Sequence, residues 1–392
     1  MSTKKNSKKK NSREIALDKF DVDVTSSNSK KESKIPKQKN PFKRLAVAMF
    51  PQATDTNGER VRKIILLAAI AILIGTVAFL LWQLRGMSDS GHQSDNLASN
   101  AGVPNSSISY REPSRLDNPE QTIRTTAGDE EPEYIDLTPV VNTPLSVDFS
   151  SLRSQNPDTR AWIKITGTLL NHVVLQRPED FDYYLDHDFY GNDNEFSSEV
   201  FSIGKNSFDG SDDNIILFGH NLKNGYGFAY INHYVPYDGS REPLAFYKVH
   251  PTILFQRDGG PSETYKIFAG IVANTDPSYG EVFNYTTKTQ FSSAADFNQY
   301  VSDIMDRSYF YTDVDLQYGD KLLTLSTCYW PLGTSVPTRF VLFARKVRPG
   351  ESEYVDTSVA KRNWNPKMFE HFYNVWGGQW NGSTWDRSKL LS

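Results

Sequence analysis

Cys328 is the only cysteine in the 392-residue chain, and two other residues, His220 and Arg339, could act with it. A thiol of pKa about 8.5 is only a few per cent ionised at neutral pH, and the thiolate is the form that attacks a carbonyl. Nearby positive charge raises that fraction. A protonated histidine supplies such charge and can then hand its proton to a departing amine. A guanidinium stays protonated, so it serves as a donor to a carbonyl or oxyanion, where one lost donor costs about 3 kcal/mol. Each residue also has an ordinary explanation: a lone cysteine often packs as a small hydrophobe, and His or Arg at a strand end often just meets water. Together they are the parts of a thiol-based acyl transfer.

Three strand-like runs must position them. Leu322 to Thr327 mixes β-branched and aliphatic residues, and Tyr329-Trp330-Pro331-Leu332-Gly333 breaks the run just after Cys328. Arg339 opens the run that ends at Val347, and His220 closes the run that begins at Asn214. A barrel or sheet that brings these ends together would assemble the three groups.

The run Thr324-Leu325-Ser326-Thr327-Cys328, with a histidine-ended strand before it and an arginine-headed strand after it, resembles the sortase family, and more narrowly class B. Asn156-Pro157-Asp158 with Trp162-Ile163-Lys164-Ile165, and the run Tyr183 to Phe189, are similar to that class too, so the resemblance extends from about residue 147 to about 348. It implies a mainly β fold: a closed, sortase-type eight-stranded β-barrel with an N-terminal helix and an inserted helix near 293–307. It also implies a cysteine transpeptidase that cuts a sorting motif after a threonine, holds the fragment as a thioester and passes it to an amine. In the family that amine belongs to a peptidoglycan precursor or a pilin lysine, and the clients are surface proteins with a C-terminal sorting motif. The implied catalytic set is His220, Cys328 and Arg339. Ser326 and Thr327 would shape the acyl pocket or merely fill the strand, and Asn221 would orient the loop or the imidazole. No metal or organic cofactor is called for, and the single cysteine excludes an internal disulfide framework and any multi-thiolate zinc site.

Only 38% of the chain is hydrophobic, so a good part of it is not core, and its 13% aromatic share favours strands in what remains. Residues 1–63 carry about ten more basic than acidic side chains and read as a disordered basic segment. Ile64 to Trp82 holds no charged residue and at about 1.5 Å per residue reaches across a hydrocarbon core of about 30 Å. A transmembrane helix over 64–84 follows. Arg60, Arg62 and Lys63 place its start in the cytoplasm by the positive-inside rule, and Trp82 suits the far interface. The expectation is a single-pass protein of the cell membrane with its catalytic domain outside. The run is too long and too far from the start for a cleaved signal peptide. Beyond the basic segment the chain carries a net charge of about −14, which argues against nucleic acid as a partner.

Residues 85–143, rich in Ser, Asn, Pro and Asp, read as a flexible extracellular linker. The catalytic domain is then 144–350: a short helix near Val147 to Arg153, strands at Ala161 to Ile165 and His172 to Gln176, and a hairpin around Asp258-Gly259-Gly260-Pro261. Ser293 to Arg307 has helical spacing of Phe297, Val301, Ile304 and Met305, with Asp296 three residues after Ser293 as in a capping box. The acidic loop Asp182 to Asp193 lacks the spacing and closing glutamate of a calcium loop. Residues 351–392 form a C-terminal extension whose Trp364, Trp376, Trp380 and Trp385 are expected to pack on the barrel. Two alternatives stand beside wall attachment: a pilus-polymerising sortase, and a non-catalytic wall-binding barrel. A papain-like peptidase would place its cysteine before its histidine, the reverse of the order here.

Overall fold

A computed structural model describes residues 41–105, 137–202, 204–235 and 244–391. The chain divides into two compact units, residues 1–76 and 77–392. In the first, helix α1 spans Pro41–Met49 and helix α2 (Asn57–Asn100) begins. The start of α2 is a reciprocal cap: the Glu59 amide donates to the Thr56 hydroxyl, and the Thr56 amide donates to the Glu59 carboxylate at 2.8 Å. Residues 41–49 and 57–63 are therefore helical, a correction to the disorder expected over 1–63; the basic composition masked a local capping signal. Residues 1–40 lie outside the described residues. Among the described residues α2 is the one helix long and apolar enough to cross a membrane, and none of its apolar window is buried in protein.

The second unit is mainly β, and its centre is a closed barrel. Strands β1 (Thr159–Lys164), β2 (Asn171–Leu175), β3 (Val200–Ser202), β4 (Asn214–Gly219), β5 (Thr252–Arg257), β6 (Ser262–Asn274), β9 (Leu322–Cys328) and β10 (Thr338–Lys346) close in the order β1-β2-β3-β4-β9-β10-β6-β5. Side chains alternate across each strand. Ile215 and Leu217 of β4, Leu323 and Leu325 of β9, and Phe340 and Leu342 of β10 point into the interior cluster. Leu322, Val341 and Phe343 point outward, against helix α5 (Ala294–Arg307). That helix buries Phe297, Val301, Ile304 and Met305, and its cap forms as the sequence predicts, with Ser293 Oγ accepting from the Asp296 amide. Helix α3 (Phe149–Gln155) is capped by Asp148 and sits two residues later than expected. The remaining helices are α4 (Ala245–Val249) and α6 (Glu370–Trp376).

Two expectations for the flanks need correction. The linker expected over 85–143 begins as helix, because α2 runs on to Asn100. Its Ser90, Ser94, Leu97 and Ala98 are buried, and these short side chains let the helix lie close to the barrel. Residues 106–136 of that linker lie outside the described residues. In the C-terminal extension, β11 (Lys361–Arg362) pairs with β7 (Phe310–Tyr311), and β12 (Leu390–Leu391) pairs in parallel with β8 (Leu316–Gln317). Met368 and Phe369 join the interior cluster and Trp385 the cluster under α5. Trp364 and Trp376 stay exposed, at 74% and 66%. The Arg362 guanidinium lies 4.0 Å from the Trp364 ring, a cation–π contact that a surface indole can make without burial.

Candidate active site

Strand pairing brings the three chemical groups to one level. β4 and β9 run parallel with a constant offset, from Asn214 opposite Leu322 to Phe218 opposite Ser326. Two residues past that last pair come His220 and Cys328. On the other side of β9, Arg339 pairs directly with Cys328 in the antiparallel β9–β10 ladder. Residues at one level on neighbouring strands share a face, and this is the outward face, that of Phe218, Ser326 and Val341. Cys328 and Arg339, paired on β9 and β10, and His220, the residue just after β4, thus come to one end of three adjacent strands, each partly exposed.

The surroundings fix each group. His220 Nε2 lies 2.6 Å from the carbonyl oxygen of Leu185. A carbonyl only accepts, so Nε2 carries a hydrogen. Leu185 ends a short 3-10 turn, Tyr183–Leu185, in the acidic loop that the sequence left without a role. Asn221 Nδ2 donates to the Cys328 carbonyl at 3.0 Å and Asn232 Nδ2 to the same oxygen at 3.4 Å. Asn221 therefore ties the loop after β4 to the backbone of the thiol residue, rather than holding the imidazole. The loop turns back on itself: the Phe228 amide donates to the His220 carbonyl at 2.7 Å. Gly227 permits this turn with φ +63°, and a Cβ there would lie 2.6 Å from the His220 oxygen.

Ser326 and Thr327 are both about 1% exposed. The Thr327 hydroxyl donates to the Gly219 carbonyl at 2.7 Å, locking β9 to β4 one residue before the thiol. Ser326 Oγ is 2.7 Å from the Tyr285 hydroxyl. Both hydroxyls are hydrogen-bonded inside the fold, tying β9 to Tyr285 and to β4. Tyr285 escaped the sequence reading, since its loop has no periodic pattern. Burial pushes its hydroxyl pKa up to about 12, against the opposing hydrogen bond with Ser326 and the charge of Arg339. After the thiol, the Tyr329 amide donates to the Thr338 carbonyl, and the Thr338 hydroxyl donates back to the Tyr329 carbonyl. Among the described residues no group of three or more His, Cys, Asp or Glu side chains could hold a metal ion.

Residues 178–347, which hold all three chemical groups, match the sortase domain. The chain is 30% identical over 188 residues to sortase B of Listeria monocytogenes, covering 48% of this chain and 70% of that protein. The chain belongs to the class B sortases. A second relative, sortase B of Staphylococcus aureus, is 28% identical over 180 residues, covering 46% of this chain and 67% of that one. The solved structure of Clostridium perfringens sortase B is 30% identical and aligns over 51% of this chain and 100% of its own, with a TM-score of 0.43. This sortase is a cysteine transpeptidase, as its family is. The segment that matches the sortase domain, 178–347, leaves out α2 and the C-terminal extension.

Proposed function

We propose that this sortase cuts a threonine-containing sorting motif of surface proteins and transfers the product to an amine of the cell wall, working from the membrane through α2. The observation that carries this reading is the common level of His220, just after β4, with Cys328 on β9 and Arg339 on β10. Cys328 Sγ, as thiolate, attacks the threonine carbonyl. The oxyanion that forms accepts hydrogen bonds from Arg339, a donor that stays charged at every working pH. His220 gives its Nδ1 proton to the leaving amine, and a thioester remains on Cys328. The incoming amine then attacks the thioester, His220 takes a proton back, and the thiolate leaves. Asn221, Ser326 and Thr327 hold the frame.

The same reading assigns 64–84 to the membrane span, with the basic start of the chain in the cytoplasm and the catalytic domain, 144–350, outside. Residues 351–391 brace that domain. The test uses the full chain in detergent micelles, fluorescence-quenched peptides with varied threonine-containing motifs, and an amine acceptor. Cleavage should vanish in Cys328→Ala, and added amine should divert product into the adduct. Cleavage that survives Cys328→Ala would remove the thiol from the mechanism.

A further inference from the structure

We propose that the stretch Met87 to Ala98 of α2 holds the catalytic loop Asn221 to Phe228 in its working shape, with Tyr226 seated on Gly91 as the central contact. This rests on reading His220 and Cys328 as the reacting pair. It makes Tyr226 and Gly91 positioning residues for that pair.

Four contacts, all within the second unit, join the two segments. Asn224 Nδ2 donates to the Met87 carbonyl at 2.6 Å. The Tyr226 hydroxyl donates to Asp95 Oδ2 at 2.8 Å. The Tyr226 ring lies so close to Gly91 that a Cβ there would be 2.7 Å from a ring carbon. The fourth runs through the buried His172 of β2, whose Nδ1 is 3.2 Å from Ser94 Oγ and whose ring meets that of Tyr226 edge-on. Ser94 and Ser90 are themselves pinned to Ser198 at 2.7 and 3.1 Å, so the helix is a fixed support.

The loop needs a support. Gly225 and Gly227 sit at φ +89° and +63°, so its backbone has freedom that side chains do not limit. Tyr226 lies between these two glycines. Gly227 pairs with Asn221, and Asn221 grips the Cys328 carbonyl. Four residues therefore link the helix to the thiol: Gly91, Tyr226, Gly227 and Asn221. An open cleft of about 460 Å³, bounded in part by Met87, Gly91, Lys223 and Tyr226, flanks the contact and leaves the ring room to swing away. Met87 to Ala98 belong to one uninterrupted helix, α2.

The experiment uses the full chain in lipid nanodiscs, with Gly91→Leu, Tyr226→Phe, Tyr226→Leu, Asp95→Asn and His220→Ala. Cys328 is the only thiol, so its alkylation by iodoacetamide across pH reads the site without a substrate. Peptide cleavage, hydrogen exchange over 221–228 and thermal unfolding complete the set. Gly91→Leu should lower kcat by about tenfold to a hundredfold, the range a misplaced group costs, with KM within about twofold. It should also displace the alkylation pH profile and speed exchange in the loop. Tyr226→Phe, which keeps the ring and loses one hydrogen bond, should cost about threefold to fivefold, and Asp95→Asn, which keeps an acceptor, should approach the parent. If Gly91→Leu does not fold, Tyr226→Leu decides in its place. A folded variant of either kind with parental kcat, alkylation profile and exchange would overturn the proposal. His220→Ala separates the two readings: cleavage that survives it sinks the site itself, whatever the helix does.

Discussion

Arg339 and Arg345 lie six positions apart on β10, on the same face, and have opposite surroundings. Arg345 is 1% exposed and spends its guanidinium on the fold: Nη2 pairs with Asp315 at 2.7 Å, Nη1 with Glu351 at 2.6 Å, and Nε donates to the Asp315 carbonyl. Arg348 extends this cluster by pairing with Asp315 and Asp320. Arg339 is partly exposed, donates to the carbonyl of its neighbour Thr338 at 3.1 Å, and has no carboxylate partner among the described residues. One strand thus carries the same cation twice. Where carboxylates consume the charge, it holds structure; beside Cys328 it has no carboxylate partner among the described residues, which is what the proposed role of Arg339 requires.

The largest effect expected from this contrast is on stability. Arg345→Ala leaves Glu351 without its main partner and Asp315 with Arg348 alone, and breaking such a buried pair costs about 3 to 5 kcal/mol. Urea denaturation should show it as a large fall in midpoint, and an unchanged midpoint would break the contrast. Arg339→Ala should do the reverse. Its unfolding free energy should stay within about 0.5 kcal/mol of the parent, while kcat/KM drops by about a hundredfold to a thousandfold. Arg339→Lys should recover only part of that loss, because an ammonium cannot present the planar fork.

Acid titration sharpens the comparison further. Glu351 is held well below its ordinary 4.5, first by the hydrogen bond from Arg345 and then by those from Lys266 and the Arg348 amide, against the effect of burial. A depressed carboxyl contributes stability that is present above its unfolded value and lost as pH falls through the folded one. The parent should therefore lose stability below about pH 4.5; Arg345→Ala should flatten that slope and Arg339→Ala should keep it. A slope identical in all three proteins would remove Glu351 from the account. The smallest effect belongs to Tyr285→Phe, which frees Ser326 Oγ. A loss of about 1 kcal/mol in stability and a decline of a few fold in kcat are expected, and calorimetry beside peptide cleavage would check both.

Much of the site was legible because its signals are local. A lone cysteine at the end of Leu322 to Thr327, a histidine after Asn214 to Gly219 and an arginine at the head of the next strand are strand-end positions that alternation and turn residues mark within a few residues. The helix over Ser293 to Arg307 was equally plain, since both its cap and its apolar stripe are written in adjacent residues. Strand β3 was missed: it is three residues long, too short for a period to register. The partners of the site were missed for another reason. Leu185, Tyr285 and Asn232 lie at least 35 positions from the groups they contact, and no pattern in a single chain reports a contact at that distance.

By itself the sequence determined the chemistry on offer: one thiol, an imidazole and a guanidinium at strand ends, and an uncharged run long enough to span a bilayer. Tertiary structure decided how they are used. Barrel closure set the register that puts His220, Cys328 and Arg339 at one level, and the Leu185 carbonyl chose which imidazole nitrogen carries the hydrogen. The polar residues after the apolar run read as linker because composition reports only solvation. Those up to Asn100 are helix, packed on Ser198, His172 and Tyr226, and a surface of that kind exists only once the chain has folded.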